Sequence, residues 1–203
     1  MTKRGRYSKG AERREEILAA AYDVLSREGY RNASLNQIGR SIGLDSAHLL
    51  YYFPSRDHLL QEVLQRWDGL RFLEGADEAD IFSLWLKAVR HNSQDPGIMQ
   101  LYTIYAAEAA APDHPGHAFF EERFASLSAM LCAAIRKLQA DGTVPPSVDP
   151  EETAVFLIAL SDGLQIRCLI DPTLDMEAVL RTAIERALGL TLSDGAKAGR
   201  SHS

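Results

Sequence analysis

Residues 34–60, SLNQIGRSIGLDSAHLLYYFPSRDHLL, constrain the fold of this chain more than any other stretch. Ser34 is a good helix cap, and Leu35, Ile38 and Ile42 recur at helical spacing, so a short helix with one apolar face is expected. Gly43 follows, where a left-handed residue ends a helix without a Cβ penalty. Asp45 or Ser46 caps a second helix in which Leu49, Leu50 and Phe53 are expected to face inward. Pro54 stops it, and Ser55 caps a longer helix carrying Leu59, Leu60, Val63, Leu64 and Trp67. Helix, glycine turn, helix is the arrangement in which the second helix can enter the major groove of duplex DNA.

Charge along the chain supports that assignment. The net charge is −6, yet residues 1–60 hold 10 Lys/Arg against 7 Asp/Glu, leaving the excess of acid to the remainder. The basic part is the part patterned as a DNA reader, which points to two jobs on one chain. Lys3, Arg4, Arg6 and Lys9 with two glycines read as a flexible basic arm, suited to phosphates or simply to solubility. A helix from about Ala11 to Glu28 follows, with Ile17, Leu18, Ala21, Val24 and Leu25 in one stripe.

Beyond Pro54 every proline falls at or beside the edge of a helical pattern, and helices are expected at about 56–73, 79–92, 97–110, 116–141, 150–170 and 175–189. No stretch alternates as a strand does, so the fold class is all-α: an N-terminal three-helix helix-turn-helix bundle and a larger C-terminal helical bundle, about nine helices in all. The expected domains are 1–55 for DNA binding with the basic arm, 56–192 for ligand sensing and dimerisation, and 193–203 as a disordered tail. No membrane span is expected, and Cys132 and Cys168, lacking a pairing framework, read as reduced thiols of a cytoplasmic protein.

The far end of the opening stretch, from Gly43 through Tyr51-Tyr52-Phe53-Pro54-Ser55-Arg56 to Leu60, resembles the TetR family of one-component bacterial repressors. The motif-level resemblance covers residues 11–64. It departs from the family at Leu50, where a tyrosine is common, at Tyr52, where histidine is frequent, and at His48, where threonine is. The family implies a homodimer that binds palindromic duplex DNA and leaves it when a small molecule binds the second domain.

In the second helix Ser46, Ala47 and His48 occupy the first turn, where such helices meet base edges. Tyr51 and Tyr52 lie one turn on, with hydroxyls suited to phosphate, and packing is the alternative for each. The resemblance adds Ser34, Asn36 and Arg56 as DNA contacts. It also implies an inducer cavity, with Trp67, Trp85, His91, Met99, Tyr102, Tyr105, Phe120 and Phe124 as candidates, although aromatics at helical spacing more often fill a core. The helix at 150–170 is apolar almost all round, and the last helix has a wide apolar stripe. Ala154, Ala159, Gly163, Ile166, Val179 and Ile184 are therefore the candidates for burial against a second copy.

No nucleophile motif, metal-ligand spacing, phosphate loop or dinucleotide fingerprint occurs, so no cofactor or metal and no enzymatic role are expected. The rival readings are a regulator of the same build that acts through a protein partner without an inducer, and, remotely, an all-α enzyme.

Overall fold

The computed structural model describes residues 3–68, 73 and 75–192, apart from the side chains of 3–8 and 79. Among these residues the regular structure is helical: α1 Lys3–Glu28, α2 Leu35–Ser41, α3 Ser46–Tyr52, α4 Arg56–Trp67, α5 Ile81–Ser93, α6 Pro96–Glu108, α7 His117–Ala140, α8 Pro150–Ile170 and α9 Met176–Leu188, with a 3₁₀ turn at Glu78–Asp80 before α5. Six of the nine start with the same device. Ser34, Asp45, Ser55, Asp95, Asp149 and Asp175 each accept a hydrogen bond from the backbone N–H three residues on, which satisfies a donor that the helix itself leaves open.

The helix boundaries depart from expectation in two places. α1 begins at Lys3, so the stretch expected as a flexible arm has helical backbone from that residue on. α4 ends at Trp67 rather than near residue 73, because Asp68 leaves the helix with ψ 132° and its carboxylate is held elsewhere. Asn92 Nδ2 donates to Asp68 Oδ1 at 2.9 Å, and the Arg123 guanidinium pairs with Oδ2. The expected tail, 193–203, lies outside the described residues.

The chain forms two units, Met1–Arg71 with His91–Arg123, and Phe72–Arg90 with Phe124–Ser203. The core of the first is built from α1, α2, α3, α4, α6 and the start of α7, with Ile17, Leu25, Ile38, Leu49, Phe53, Leu59, Leu60, Leu64, Leu101 and Tyr105 all buried. α6 lies hard against α1: a Cβ on Gly97 would stand 2.7 Å from Ser26 Cα, so the close approach needs glycine. Tyr22 Oη donates to Asp95 at the head of α6 at 2.6 Å, and its ring stacks on Trp67 at 4.8 Å. His114 and His117 are used locally in the turn before α7, where His114 Nδ1 accepts from Gly116 N at 3.1 Å and His117 Nδ1 donates to Ala109 O at 2.8 Å.

The second unit buries Ile81, Phe82, Trp85, Leu86, Leu127, Leu131, Ile135, Leu157, Leu164, Leu180, Ile184 and Leu188. Cys132 and Cys168 are free thiols there, and burial raises the pKa of both. By length and mean hydropathy (1.6) α8 has the makings of a membrane span, yet 44% of that stretch is buried inside the structure, as the core helix of a bundle is. Its outer face is apolar too. Val155, Ala159, Gly163, Ile166 and Ile170 are exposed at helical spacing, with Phe156 beside them and Ile170 76% exposed.

Candidate nucleic-acid interface

The reading unit is fixed from behind. α3 buries Leu49, and Phe53 just after it, completely, so its rotation about its own axis is set by the core. The turn before it depends on glycine: Gly43 has φ 70°, and a Cβ on Gly39 would stand 2.6 Å from Leu44 O. Behind Phe53 the Arg14 guanidinium stacks on the ring at 4.6 Å and pairs with Glu62, bracing α1 against α4.

The opposite face of α3 is open. Ala47, His48, Leu50 and Tyr51 are exposed, Ser46 and Tyr52 half-buried. Tyr51 is 82% exposed, with its ring edge-on to Tyr52 at 5.0 Å between centres. Of the two tyrosines, Tyr52 packs against the core cluster and Tyr51 stands outside it. Leu50 was expected to face inward and does not: at 46% exposed it shares the outer face, because Leu49 and Phe53 take the inward phase. Ser34 and Asn36 of α2 are exposed as well.

The sequence reading missed Arg40 and Arg13 on this surface, whereas Lys9 was already assigned to the basic arm. Arg40 is exposed one turn beyond Asn36 on α2, with its Nε donating to Asn36 O at 3.3 Å, and the i, i+4 spacing was the available signal. Arg13 and Lys9 of α1 join His48, Tyr51 and Tyr52 around a groove of about 600 Å³, whose wall also carries Glu12 and Glu16. The opposed charges there make the groove wall mixed rather than uniformly basic.

Arg56 does not belong to the open face. Its Nε donates to Ala33 O at 2.8 Å and its Nη2 to Tyr30 O at 2.7 Å, and the guanidinium lies over the Tyr30 ring at 4.5 Å. Two of its donors therefore serve as an internal brace, since the carbonyls ending the α1–α2 turn lie within reach of the fork.

The candidate pocket residues separate by surroundings. In the first unit Tyr102, Tyr105 and Phe120 are buried against one another, with ring centres 5.5 and 5.9 Å apart, and Tyr105 Oη donates to Asp57 O at 3.3 Å. Met99 is also buried, Trp67 is half-buried, and His91 Nε2 donates to Trp67 O at 3.2 Å. Trp85 lies in the core of the second unit, and Phe124 is partly exposed. A polar cluster missed in the sequence sits beside Tyr102. The Arg123 guanidinium lies over that ring at 4.9 Å and pairs with the buried Asp68, which Asn92 also holds. Burial pushes the Arg123 pKa down, but the Asp68 carboxylate and Tyr102 together outweigh it and the net shift is upward.

Of the six residues assigned to contact with a second copy, Ala159, Gly163, Ile166 and Val179 are exposed on α8 and α9. Ala154 and Ile184 are removed from that surface, because both are wholly buried within the chain. Each is on the inward phase of its helix, Ile184 in line with Leu180 and Leu188. Val155, Phe156 and Ile170 belong to the exposed face instead, and the spacing 155, 159, 163, 166, 170 was already present in the sequence. Among the described residues no group of three or more His, Cys, Asp or Glu is placed to hold a metal ion.

Residues 17–63, which contain this reading unit, match the bacterial regulatory proteins of the tetR family, and residues 106–189 match the C-terminal domain of BetI-type transcriptional repressors. The HTH-type transcriptional regulator RutR of Escherichia coli K12 is 37% identical over 59 residues, 27% of this chain and 28% of that protein's length. The HTH-type transcriptional repressor KstR2 of Mycolicibacterium smegmatis is 26% identical over 162 residues, covering 74% of this chain and 76% of that one. In three dimensions, a transcriptional regulator from Saccharomonospora viridis in complex with choline superposes with a TM-score of 0.68 over 86% of this chain and 96% of that one. At 24% identity that likeness is one of fold. With an all-α fold, a helix-turn-helix whose outer face is open, and matches to both ends of the family's architecture, the chain belongs to the TetR family of transcriptional regulators, which are not enzymes.

Proposed function

We propose that the protein is a homodimeric repressor that binds a palindromic operator through α3 and leaves it when a small molecule binds the larger domain. The observation that carries the DNA-reading part is the two-sidedness of α3: Leu49 and Phe53 wholly buried, Ala47, His48 and Tyr51 open. A helix held rigidly by one face presents hydrogen-bonding and methyl groups on the other in a fixed pattern, which base edges require. Ser46, Ala47 and His48 are assigned to bases, and Tyr51, Tyr52, Ser34 and Asn36 to the sugar–phosphate backbone, with Arg40 added. The reading and sensing domains are assigned to 1–55 and 56–192, and the protein to the cytoplasm.

The dimer is supported by the exposed stripe Val155, Ala159, Gly163, Ile166 and Ile170 on α8 with Val179 on α9. A self-complementary apolar face on a soluble helical chain is most simply covered by its own copy about a twofold axis. Such a dimer reads DNA when its two α3 helices lie roughly 34 Å apart, one turn of the duplex. An effector then acts by binding one arrangement of the dimer better than the other, and a coupling of about 1–3 kcal/mol is enough for a switch.

For the effector, the supporting observation is the buried Asp68–Arg123 pair beside Tyr102, with Asn92 and His91 adjacent. A buried ion pair is a weak contributor to stability, and polar groups of this kind are what orient a ligand in an otherwise apolar site. Trp67, Met99 and Tyr102 are the candidate apolar contacts around it. Regulation through a protein partner instead of a ligand is the rival reading.

The test is fluorescence anisotropy of labelled duplexes from the gene's own upstream region at several salt concentrations, with sedimentation of the complex. Saturable binding of one dimer per duplex, weakening steeply with salt, is expected. Binding indifferent to sequence contradicts the reading. A thermal-shift screen of metabolites separates the rivals, since a true ligand raises the melting temperature by mass action and a protein partner requirement leaves every compound silent.

A further inference from the structure

The Arg56 side chain joins parts of the reading unit that the sequence keeps far apart. It leaves the first turn of α4, immediately after the Ser55 cap and close behind Phe53 at the end of α3. Its Nε and Nη2 donate to Ala33 O and Tyr30 O at 2.8 and 2.7 Å, and Ala33 directly precedes the Ser34 cap of α2. One guanidinium therefore ties the head of α4, three residues beyond Phe53, to the turn that leads into α2. Its flat face rests on the Tyr30 ring, 4.5 Å from the centre, and that ring is buried.

Tyr30 extends the tie to α6. Its hydroxyl donates to Glu108 Oε2 at 2.5 Å, and its backbone N–H donates to Gln100 Oε1 at 3.1 Å. Glu108 and Gln100 lie near the two ends of α6, so α6 is held at two points against the turn that Arg56 grips.

We propose that Arg56 and Tyr30 are positioning residues of the DNA reader: Arg56 fixes the head of α4, which follows directly on α3, against the turn that leads into α2, and Tyr30 with Glu108 makes α6 the element that sets their arrangement. This rests on the DNA-reading role proposed above. Arg56 belongs by sequence position to the set expected to grip phosphate, yet its Nε and Nη2 donate to two backbone carbonyls and its flat face rests on a ring. Lysine cannot reproduce that geometry, since it has a point charge and no planar pair of donors.

The test uses the full-length protein and a duplex enriched by it from a random pool, with affinity measured across a range of salt. Arg56→Lys keeps the positive charge and loses the fork. Affinity roughly tenfold lower than wild type at every salt concentration, on a parallel salt line, is the expected result, tenfold being what loss of charged hydrogen bonds typically costs. Affinity equal to wild type overturns the proposal, as does an Arg56→Met variant whose salt slope falls by about 0.9, the signature of one lost phosphate contact. Tyr30→Phe keeps the ring under the guanidinium and removes only the hydroxyl, which guards against a variant that fails to fold. It is expected to bind several-fold more weakly with an unchanged slope, and Tyr30→Phe with Glu108→Ala is expected to lose no more than either change alone. Full affinity in both single variants overturns the part assigned to α6. If the wild-type protein enriches no duplex, the DNA-reading role itself fails and this proposal falls with it. If it enriches one and Arg56→Lys binds it fully, only the positioning role fails.

Discussion

Among the described residues α3 and α8 each keep an exposed face, and the two faces differ in chemistry. On α3 the open residues are Ala47, His48, Leu50 and Tyr51, a mixture of small, aromatic and hydrogen-bonding groups. On α8 they are Val155, Phe156, Ala159, Gly163, Ile166 and Ile170, all apolar or small, flanked by the exposed charges of Glu151, Glu152 and Arg167. Both helices are pinned by a buried opposite face, so each surface is presented in a fixed orientation. The contrast separates their partners. A face with donors and an exposed phenol suits a polyanion whose edges are polar, whereas a mainly apolar stripe gains by leaving water, as burial against a second chain allows.

The comparison can be broken most severely in the core that holds the first face. Phe53→Ala removes a ring that is wholly buried and stacked under Arg14, and should cost about 3–5 kcal/mol of stability in the reading bundle. Thermal unfolding followed by circular dichroism should show an early transition from that bundle, with sedimentation still reporting a dimer below it. Loss of the dimer in step with the bundle would mean the two faces are not independent.

Next in size is the α8 face. Nothing lies within 4 Å of a Cβ built on Gly163, so Gly163→Trp has room within one chain but none in a closely packed pair. The dimer should weaken by about 100-fold or more, roughly 2.7 kcal/mol, while the helical spectrum stays unchanged. A dimer of undiminished strength would place the contact elsewhere.

A smaller effect sharpens the first face. Tyr51→Phe removes one hydroxyl from an 82% exposed side chain and should weaken operator binding by about 1 kcal/mol without touching the dimer. Unchanged affinity would return Tyr51 to the role of a surface aromatic.

The mildest probe is alkaline pH. All seven tyrosines of the chain precede residue 106 and fall in the first unit, so phenolate absorbance reports that unit alone. Hydrogen bonding to Asp95 raises the Tyr22 pKa, and burial raises those of Tyr30 and Tyr105. A phenol whose folded pKa exceeds its unfolded value of 10.0 contributes its full stability below that pH and loses it as pH rises further, because the unfolded chain releases the proton first. These three phenols should ionise later than the unfolded value, seen as a delayed rise in absorbance. A simple titration of every tyrosine near pH 10 would contradict the packing described.

Most of the frame was legible in the sequence because caps, prolines and apolar spacing act locally. Ser34, Asp45 and Ser55 announce their helices within three residues, and the structure places a helix after each. Phase was harder. Leu49 and Leu50 are equally apolar, and only the competing inward pull of Phe53 decides that Leu50 faces out. The same one-residue ambiguity put Ala154 rather than Val155 on the open face of α8. The internal contacts of Arg56 were hidden for another reason: its partners, Tyr30 and Ala33, lie 26 and 23 positions away, and no local pattern records where their carbonyls will point. The end of α4 was set likewise by Asn92 and Arg123, which meet Asp68 only in the folded chain.

The separation of the two faces is tested most directly by sedimentation velocity of a labelled operator duplex with wild type, Tyr51→Ala and Gly163→Trp, all at one protein concentration. Wild type should carry the duplex as a two-protomer complex. Tyr51→Ala should sediment as a dimer that carries less of the duplex than wild type, and Gly163→Trp as a monomer that no longer forms the two-protomer complex. A Tyr51→Ala protein that loses its dimer together with the duplex, or a monomeric Gly163→Trp that binds the duplex as tightly as wild type, would contradict the assignment of α3 to DNA and α8 to the second copy.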